Sequence, residues 1–132
     1  KQYLQINTHF DHIGKQARQE SARIITEKAK SLHAELPAIL TGDFNCPPTD
    51  LPYGVITKES EDFRWVDSLA NYQPKSNEPA GSWNGFRAIE SNRIDFIFTT
   101  RGIKNVSSQI LDPRTPSGAF ASDHQPIQAI VR

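Results

Sequence analysis

Ala38-Ile39-Leu40-Thr41-Gly42-Asp43-Phe44-Asn45-Cys46-Pro47-Pro48 passes from an apolar run directly into turn-forming residues. Ala38-Ile39-Leu40 is too short for a helix and suits a buried parallel strand. Gly42 to Pro48 concentrates Gly, Asp, Asn and Pro, whose backbone preferences or side-chain hydrogen bonds favour turns, so a polar loop begins where the strand stops. Upstream, Ala17, Ser21, Ile24, Ile25, Lys28, Ala29 and Leu32 recur at helical spacing, with Lys15, Gln19, Arg23, Glu27 and Lys30 largely on the other side. This predicts an amphipathic helix from Lys15 to about Leu32, closed by Pro37. Before it, Tyr3-Leu4-Gln5-Ile6 reads as a strand already under way. The chain contains no Met and opens on that strand, so it reads as an internal piece of a longer protein.

Downstream the pattern changes. Tyr53, Val55 and Ile56 hint at a short helix, and Phe63, Trp65 and Val66 at an apolar anchor. Asn71 to Gly81 is rich in Pro, Asn and Ser and reads as a surface loop. Arg93 to Thr99 is strongly β-prone, Gly102 marks a turn, and Val106 to Leu111 and Gln125 to Val131 supply two more strands around a Pro113–Gly118 loop. Helices and strands alternate first and strands dominate later, which predicts an α/β fold with a mixed sheet and helices on one face. His9, Asp43, Asn45, Asp123 and His124 all fall where a strand begins or ends, where side chains converge on one rim of a sheet.

Composition limits the functions available. At 36% apolar and 23% charged residues, the chain is globular and neither disordered nor fibrous. No apolar run approaches the roughly 20 residues that span a bilayer. Fifteen basic residues balance fifteen acidic ones, so no global field holds a nucleic-acid backbone and polyanion binding must be local. Cys46 is the single cysteine, which excludes an intrachain disulfide.

Asp43, following Gly42, reads by itself first as a turn-former or helix cap and second as a site carboxylate. Asp95 differs, because a carboxylate among Ile94, Phe96, Ile97 and Phe98 is costly to bury unpaired and needs a partner. His124 is a natural one: a histidine oriented by a carboxylate is held in one tautomer and stays protonatable. A satisfied core pair is the structural alternative. Asp43, Asn45 and Asp123 offer hard oxygen atoms, which suit Mg²⁺, Mn²⁺ or Ca²⁺ better than Zn²⁺. A calcium loop would need denser ligands and a Glu at a fixed offset, which is missing.

Asn7-Thr8-His9, Gly42-Asp43-Phe44-Asn45, Arg93-Ile94-Asp95-Phe96-Ile97 and Ser122-Asp123-His124-Gln125-Pro126-Ile127 resemble, in order, successive motifs of the endonuclease/exonuclease/phosphatase (deoxyribonuclease I-like) superfamily. The resemblance runs from about Tyr3 to Val131. It implies that residues 1–132 are the C-terminal half of a four-layered α/β/β/α sandwich. It also implies a phosphoester hydrolase, phosphodiesterase, phosphatase or nuclease, using Mg²⁺ or Mn²⁺. By the same resemblance, Asp43 orients or deprotonates the attacking water or serves the leaving group, and Asn45 binds phosphate. Asp95 orients His124, His124 contacts the scissile phosphate, and His9 binds phosphate or protonates the leaving oxygen. Asp123 joins Asp43 as a metal ligand or orients that ligand set, and Arg18 and Asn84 reach substrate.

The family's N-terminal Asn and its principal metal-binding Glu have no counterpart in these residues. The chain alone is therefore expected to be inactive and to self-associate through the face that meets the missing half. The neutral charge balance favours a small or non-polymeric phosphoester over nucleic acid, with Arg87, Arg93 and Arg101 available for a local phosphate path. The competing reading is a non-catalytic fragment that binds a phosphate ligand or a partner.

Overall fold

Strand β1 (Leu4–His9) and strand β2 (Ala38–Asp43) lie side by side and parallel, joined by helix α1 (Lys15–Leu32). The computed structural model describes residues 2–32, 36–60 and 62–132. After β2 come helix α2 (Leu51–Thr57), β3 (Trp65–Asp67), β4 (Asp95–Thr100), β5 (Asn105–Ile110) and β6 (Ile127–Val131). β4 runs antiparallel to β2 and β3 antiparallel to β4, giving a mixed sheet of order β1-β2-β4-β3. The α/β class and the mixed sheet expected from the sequence are thus present. β5 and β6 do not extend that sheet; they pair with each other as a separate two-stranded one.

Strand alternation sorts the sheet into two faces. Leu4, Ile6, Ala38, Leu40, Phe96 and Phe98 point one way and meet Ala22 and Ala29 of α1 and Ile56 of α2 in a single apolar cluster. Phe44, just beyond β2, packs edge-on against Phe10, Phe96 and Phe98 at ring separations of 4.6, 5.3 and 5.4 Å. Both helices therefore cover this face. On the other face stand Gln5, Asn7 and His9 of β1, Ile39, Thr41 and Asp43 of β2, and Asp95 and Ile97 of β4.

Helix α1 has the expected bounds, but its buried side is rotated from the expected one. Arg18, Ala22 and Ala29 are buried, whereas Ile24 and Leu32 are about half exposed. Small alanines let the helix approach the sheet closely, so the larger residues of the expected stripe fall at its margin. At its start, Asp11 Oδ1 accepts the N–H groups of Ile13 and Gly14 at 2.7 and 2.6 Å, closing the turn that leads from β1 into α1.

The anchor at Phe63 and Trp65 is buried as expected, but Val66 faces out, as alternation along β3 requires. Cys46 is buried too, and burial pushes its thiol up to about 11, so it stays protonated. Gly42 is the residue the register cannot exchange. It sits at positive φ between Thr8 and Phe96, and a Cβ there would collide with the Thr8 carbonyl oxygen.

Candidate active site

Sheet register assembles the site. His9 lies opposite Asp43 across β1 and β2, and Asp43 lies opposite Asp95 across β2 and β4. Three functional side chains therefore form one cross-strand row on the face that the helices leave uncovered. His124, arriving from the loop before β6, completes it. Its Nδ1 lies 2.8 Å from Asp95 Oδ2, and its Nε2 lies 3.6 Å from Asp43 Oδ2. His9 Nε2 stands 3.4 Å from the same Asp43 oxygen. One carboxylate oxygen thus faces two imidazoles. The row borders a cleft of about 360 Å³ whose walls include Asn7, Thr41 and Ile127.

The other Asp43 oxygen is already committed. Oδ1 accepts the Asn45 N–H at 2.8 Å, an Asx turn that fixes the carboxylate plane. Asn45 adopts φ 47°, a conformation asparagine tolerates, and its amide donates to the Phe10 carbonyl at 2.8 Å. This bond ties the exit of β1 to the exit of β2 and keeps His9 beside Asp43. It also occupies a donor that the sequence reading reserved for phosphate.

Asp95 is shaped by its surroundings. Burial raises its carboxyl above the ordinary range, and the nearby Asp43 adds to the rise; the Ser82 hydroxyl and His124 pull it back. Ser82 is fully buried, and its oxygen also accepts the N–H groups of Ile94 and Asp95 at 3.0 and 3.1 Å. Next to it, the Trp83 ring meets the His124 ring edge-on at 4.9 Å. Ser82 and Trp83 thus position the Asp95–His124 pair, a task the sequence reading assigned to neither. The signal for Ser82 was weak, because it acts across thirteen residues of chain.

A prediction follows from these bonds. Ser82→Ala removes a group that holds the Asp95 carboxyl down, so the pKa of Asp95 rises further. If the pair is catalytic, Asp95 must be ionised to orient His124, and activity of the protein extended upstream should be lost as pH falls through that pKa. The acid limb of the kcat/KM profile should therefore move to higher pH in the variant; an unmoved limb would remove Ser82 from the account.

Of the residues expected from the sequence, His9, Asp43, Asp95 and His124 come together, with Asn45 adjoining them. Asp123 lies outside the close group, and among the described residues its carboxylate meets only the Ser122 hydroxyl, at 3.4 Å. Asn84 is placed otherwise than expected. It is 2% exposed, its amide donates to Ser122 O and Gln125 Oε1 at 2.9 and 2.8 Å, and its Oδ1 accepts the Phe86 N–H. It clamps the loop that carries His124 and has no atom left for substrate.

Arg18 is likewise buried, donating to the Asp11 carbonyl at 2.9 Å from the helix-covered side. Arg93 is not on a phosphate path either: it forms a buried ion pair with Asp67 at 2.6 Å. Arg101 pairs with Glu59. A further set went unread: Thr41 Oγ1 receives the amides of Gln5 and Asn7 at 3.1 and 2.9 Å on the cleft face. The alternation of Gln5, Asn7 and His9 at period two was the available signal.

Asp43, Asp95 and His124 each offer one ligand atom, all within 4.8 Å of one another. Two carboxylates and an imidazole suit a divalent ion in part; Mg²⁺ prefers six oxygens, so further oxygen ligands must complete the shell.

The sequence matches the Endonuclease/Exonuclease/phosphatase family over residues 6–124. No curated protein matches it. Among solved structures, the mannosyl-6-phosphatase of Bacteroides thetaiotaomicron aligns at 32% identity and TM-score 0.76, covering 96% of this chain and 49% of that one. A functionally unknown conserved protein from Enterococcus faecalis aligns at 29% identity and TM-score 0.78, covering 97% and 49%. TDP2 of D. rerio, complexed with single strand DNA product, shares the fold at 16% identity and TM-score 0.74, covering 97% and 55%. The chain spans about half the length of these structures. The matched span includes every member of the row from His9 to His124, and the chain belongs to the endonuclease/exonuclease/phosphatase family.

Proposed function

We propose that the chain is the C-terminal half of a four-layered sandwich and that, joined to its N-terminal half, it hydrolyses phosphoesters with Mg²⁺ or Mn²⁺ as cofactor. The observation that carries this reading is the Asp43 Oδ2 atom facing the Nε2 atoms of His9 and His124 at 3.4 and 3.6 Å. A carboxylate oxygen between two imidazole nitrogens suits a water attacking phosphorus and the phosphoryl oxygens that take up charge. Asp43 takes the proton as the water oxygen bonds to phosphorus. His124, held through Nδ1 by Asp95, turns Nε2 to a phosphoryl oxygen. His9, with a side chain 73% exposed, protonates the leaving oxygen as its bond to phosphorus breaks.

Asp123, whose carboxylate meets the Ser122 hydroxyl, would join Asp43 and the N-terminal half in holding the ion, which would neutralise phosphoryl charge. The transfer is a single displacement, with no covalent enzyme intermediate. A small or non-polymeric ester fits the balanced charge of the chain, and the mannosyl-6-phosphatase likeness supports it.

The direct test is hydrolysis of bis-p-nitrophenyl phosphate by the chain alone and by the protein extended upstream. The extended form should turn over with Mg²⁺ or Mn²⁺ and stop with chelator, and the chain alone should not. No turnover by the extended form with either ion would overturn the reading.

A further inference from the structure

A second hollow, of about 340 Å³, lies beside the row, between the 81–92 loop and the turn that follows β2. It is within the size range of small-molecule sites, ~300–1,000 Å³. Two residues are shared with the site just described. Asn45 bonds Asp43 through its N–H, and Trp83 packs on His124, so a phosphoester held at the row has the hollow next to it. Trp83 and Ile94 supply apolar surface, while His12, Asn45, Glu90 and Asn92 supply hydrogen-bonding groups. Among the described residues, no Lys or Arg lines it.

The far wall is built, not draped. Glu90 N–H donates to the Trp83 carbonyl at 2.8 Å and Ser82 N–H to the Asn92 carbonyl at 3.3 Å. Gly81 sits where these strands of the loop pinch together, and a Cβ there would strike the carbonyl oxygens of Glu90 and Asn92. Asn84 closes the loop from within. The backbone at Glu90 and Asn92 is therefore fixed by the loop, and their exposed side chains project from a set frame.

We propose that this hollow seats the leaving group of the substrate, that the group is an uncharged polyhydroxylated one of the sugar class, and that Glu90 and Asn92 select it. The inference rests on the hydrolase reading above. A sugar offers a C–H face to the Trp83 ring and hydroxyl groups to a carboxylate and amides. A polynucleotide leaving group would instead bring phosphates to a hollow that carries Glu90 and no cation.

In the extended protein, steady-state kinetics with a panel of hexose 6-phosphates, with p-nitrophenyl phosphate and with a nucleoside 5′-monophosphate test the proposal. Glu90→Gln and Asn92→Ala should each raise KM for the preferred hexose phosphate about tenfold, with kcat held within about twofold. KM for p-nitrophenyl phosphate, which has no hydroxyl groups to read, should rise far less. An equal rise for both esters, no rise for either, or a wild-type preference for the nucleotide would overturn it.

If the wild-type protein hydrolyses neither these esters nor bis-p-nitrophenyl phosphate, the hydrolase reading falls by itself. The quenching lost in a Trp83→Phe variant of the extended protein then decides the hollow, because Trp83 is partly exposed at its wall. Saturable quenching by a hexose 6-phosphate, weakened about tenfold in Glu90→Gln, supports the subsite. Absence of saturable quenching in the wild-type protein overturns it.

Discussion

Replacing His124 by alanine in the extended protein should lower kcat for phosphoester hydrolysis by roughly 10²–10⁴-fold, the range for loss of a positioned acid–base group. The ring is held on three sides: by Asp95 at Nδ1, by Trp83 at its edge, and by the clamp of Asn84 on Ser122 and Gln125. Its remaining nitrogen is the one that faces Asp43. Because the side chain is about three-quarters buried and its loss leaves the Asp95 carboxyl without its partner, stability should fall as well, by about 1–3 kcal/mol. Activity is therefore to be compared under conditions where the variant stays folded. Asp95→Asn should lose much of the same activity, since an amide can no longer fix the imidazole tautomer. A His124→Ala protein with kcat near the wild-type value would make the Asp95–His124 pair a core feature and nothing more.

Arg93→Met should be the most damaging substitution for folding. Arg93 and Asp67 bond at 2.6 Å with side chains 8% and 1% exposed, and Asp67 also receives the Tyr53 hydroxyl at 3.0 Å and the Leu69 N–H at 2.9 Å. Removing the guanidinium leaves a buried carboxylate with no countercharge, which costs about 3–5 kcal/mol. The loss of its stacking over the Phe96 ring, 4.2 Å away, adds to this. The pair joins β3 to the entry of β4, so the site row is exposed to the damage through Asp95. Urea denaturation of the single variant and of Arg93→Met with Asp67→Leu separates the causes. The double variant should recover much of the stability, because a buried pair replaced on both sides leaves no orphan charge. A single variant within about 1 kcal/mol of wild type would show that solvent reaches Asp67.

Arg93 also shows where sequence reading ended. Next to a β-prone run, its charge resembled a phosphate contact, and only the distant Asp67 gives it a structural task. The same holds for Asn84, whose partners Ser122 and Gln125 lie about forty residues on. Periodicity set the bounds of α1 but not the face it buries, because the close approach of Ala22 and Ala29 is decided by the sheet beneath. Asp95 was legible for a local reason: a carboxylate inside an apolar strand demands a partner wherever that partner lies. What the chain does not spell out is register. His9, Asp43 and Asp95 stand in one row because β1, β2 and β4 pair as they do around Gly42, and a shift of one residue would turn Asp43 to the helix-covered face.

The most direct measurement is a titration of the extended protein with inorganic phosphate in the presence of Mg²⁺, following the imidazole resonances of His9 and His124 by NMR. If both rings and Asp43 face one phosphorus centre, the two sets of resonances should shift together and fit a single dissociation constant. Resonances that stay fixed, or that report two unrelated affinities, would contradict it.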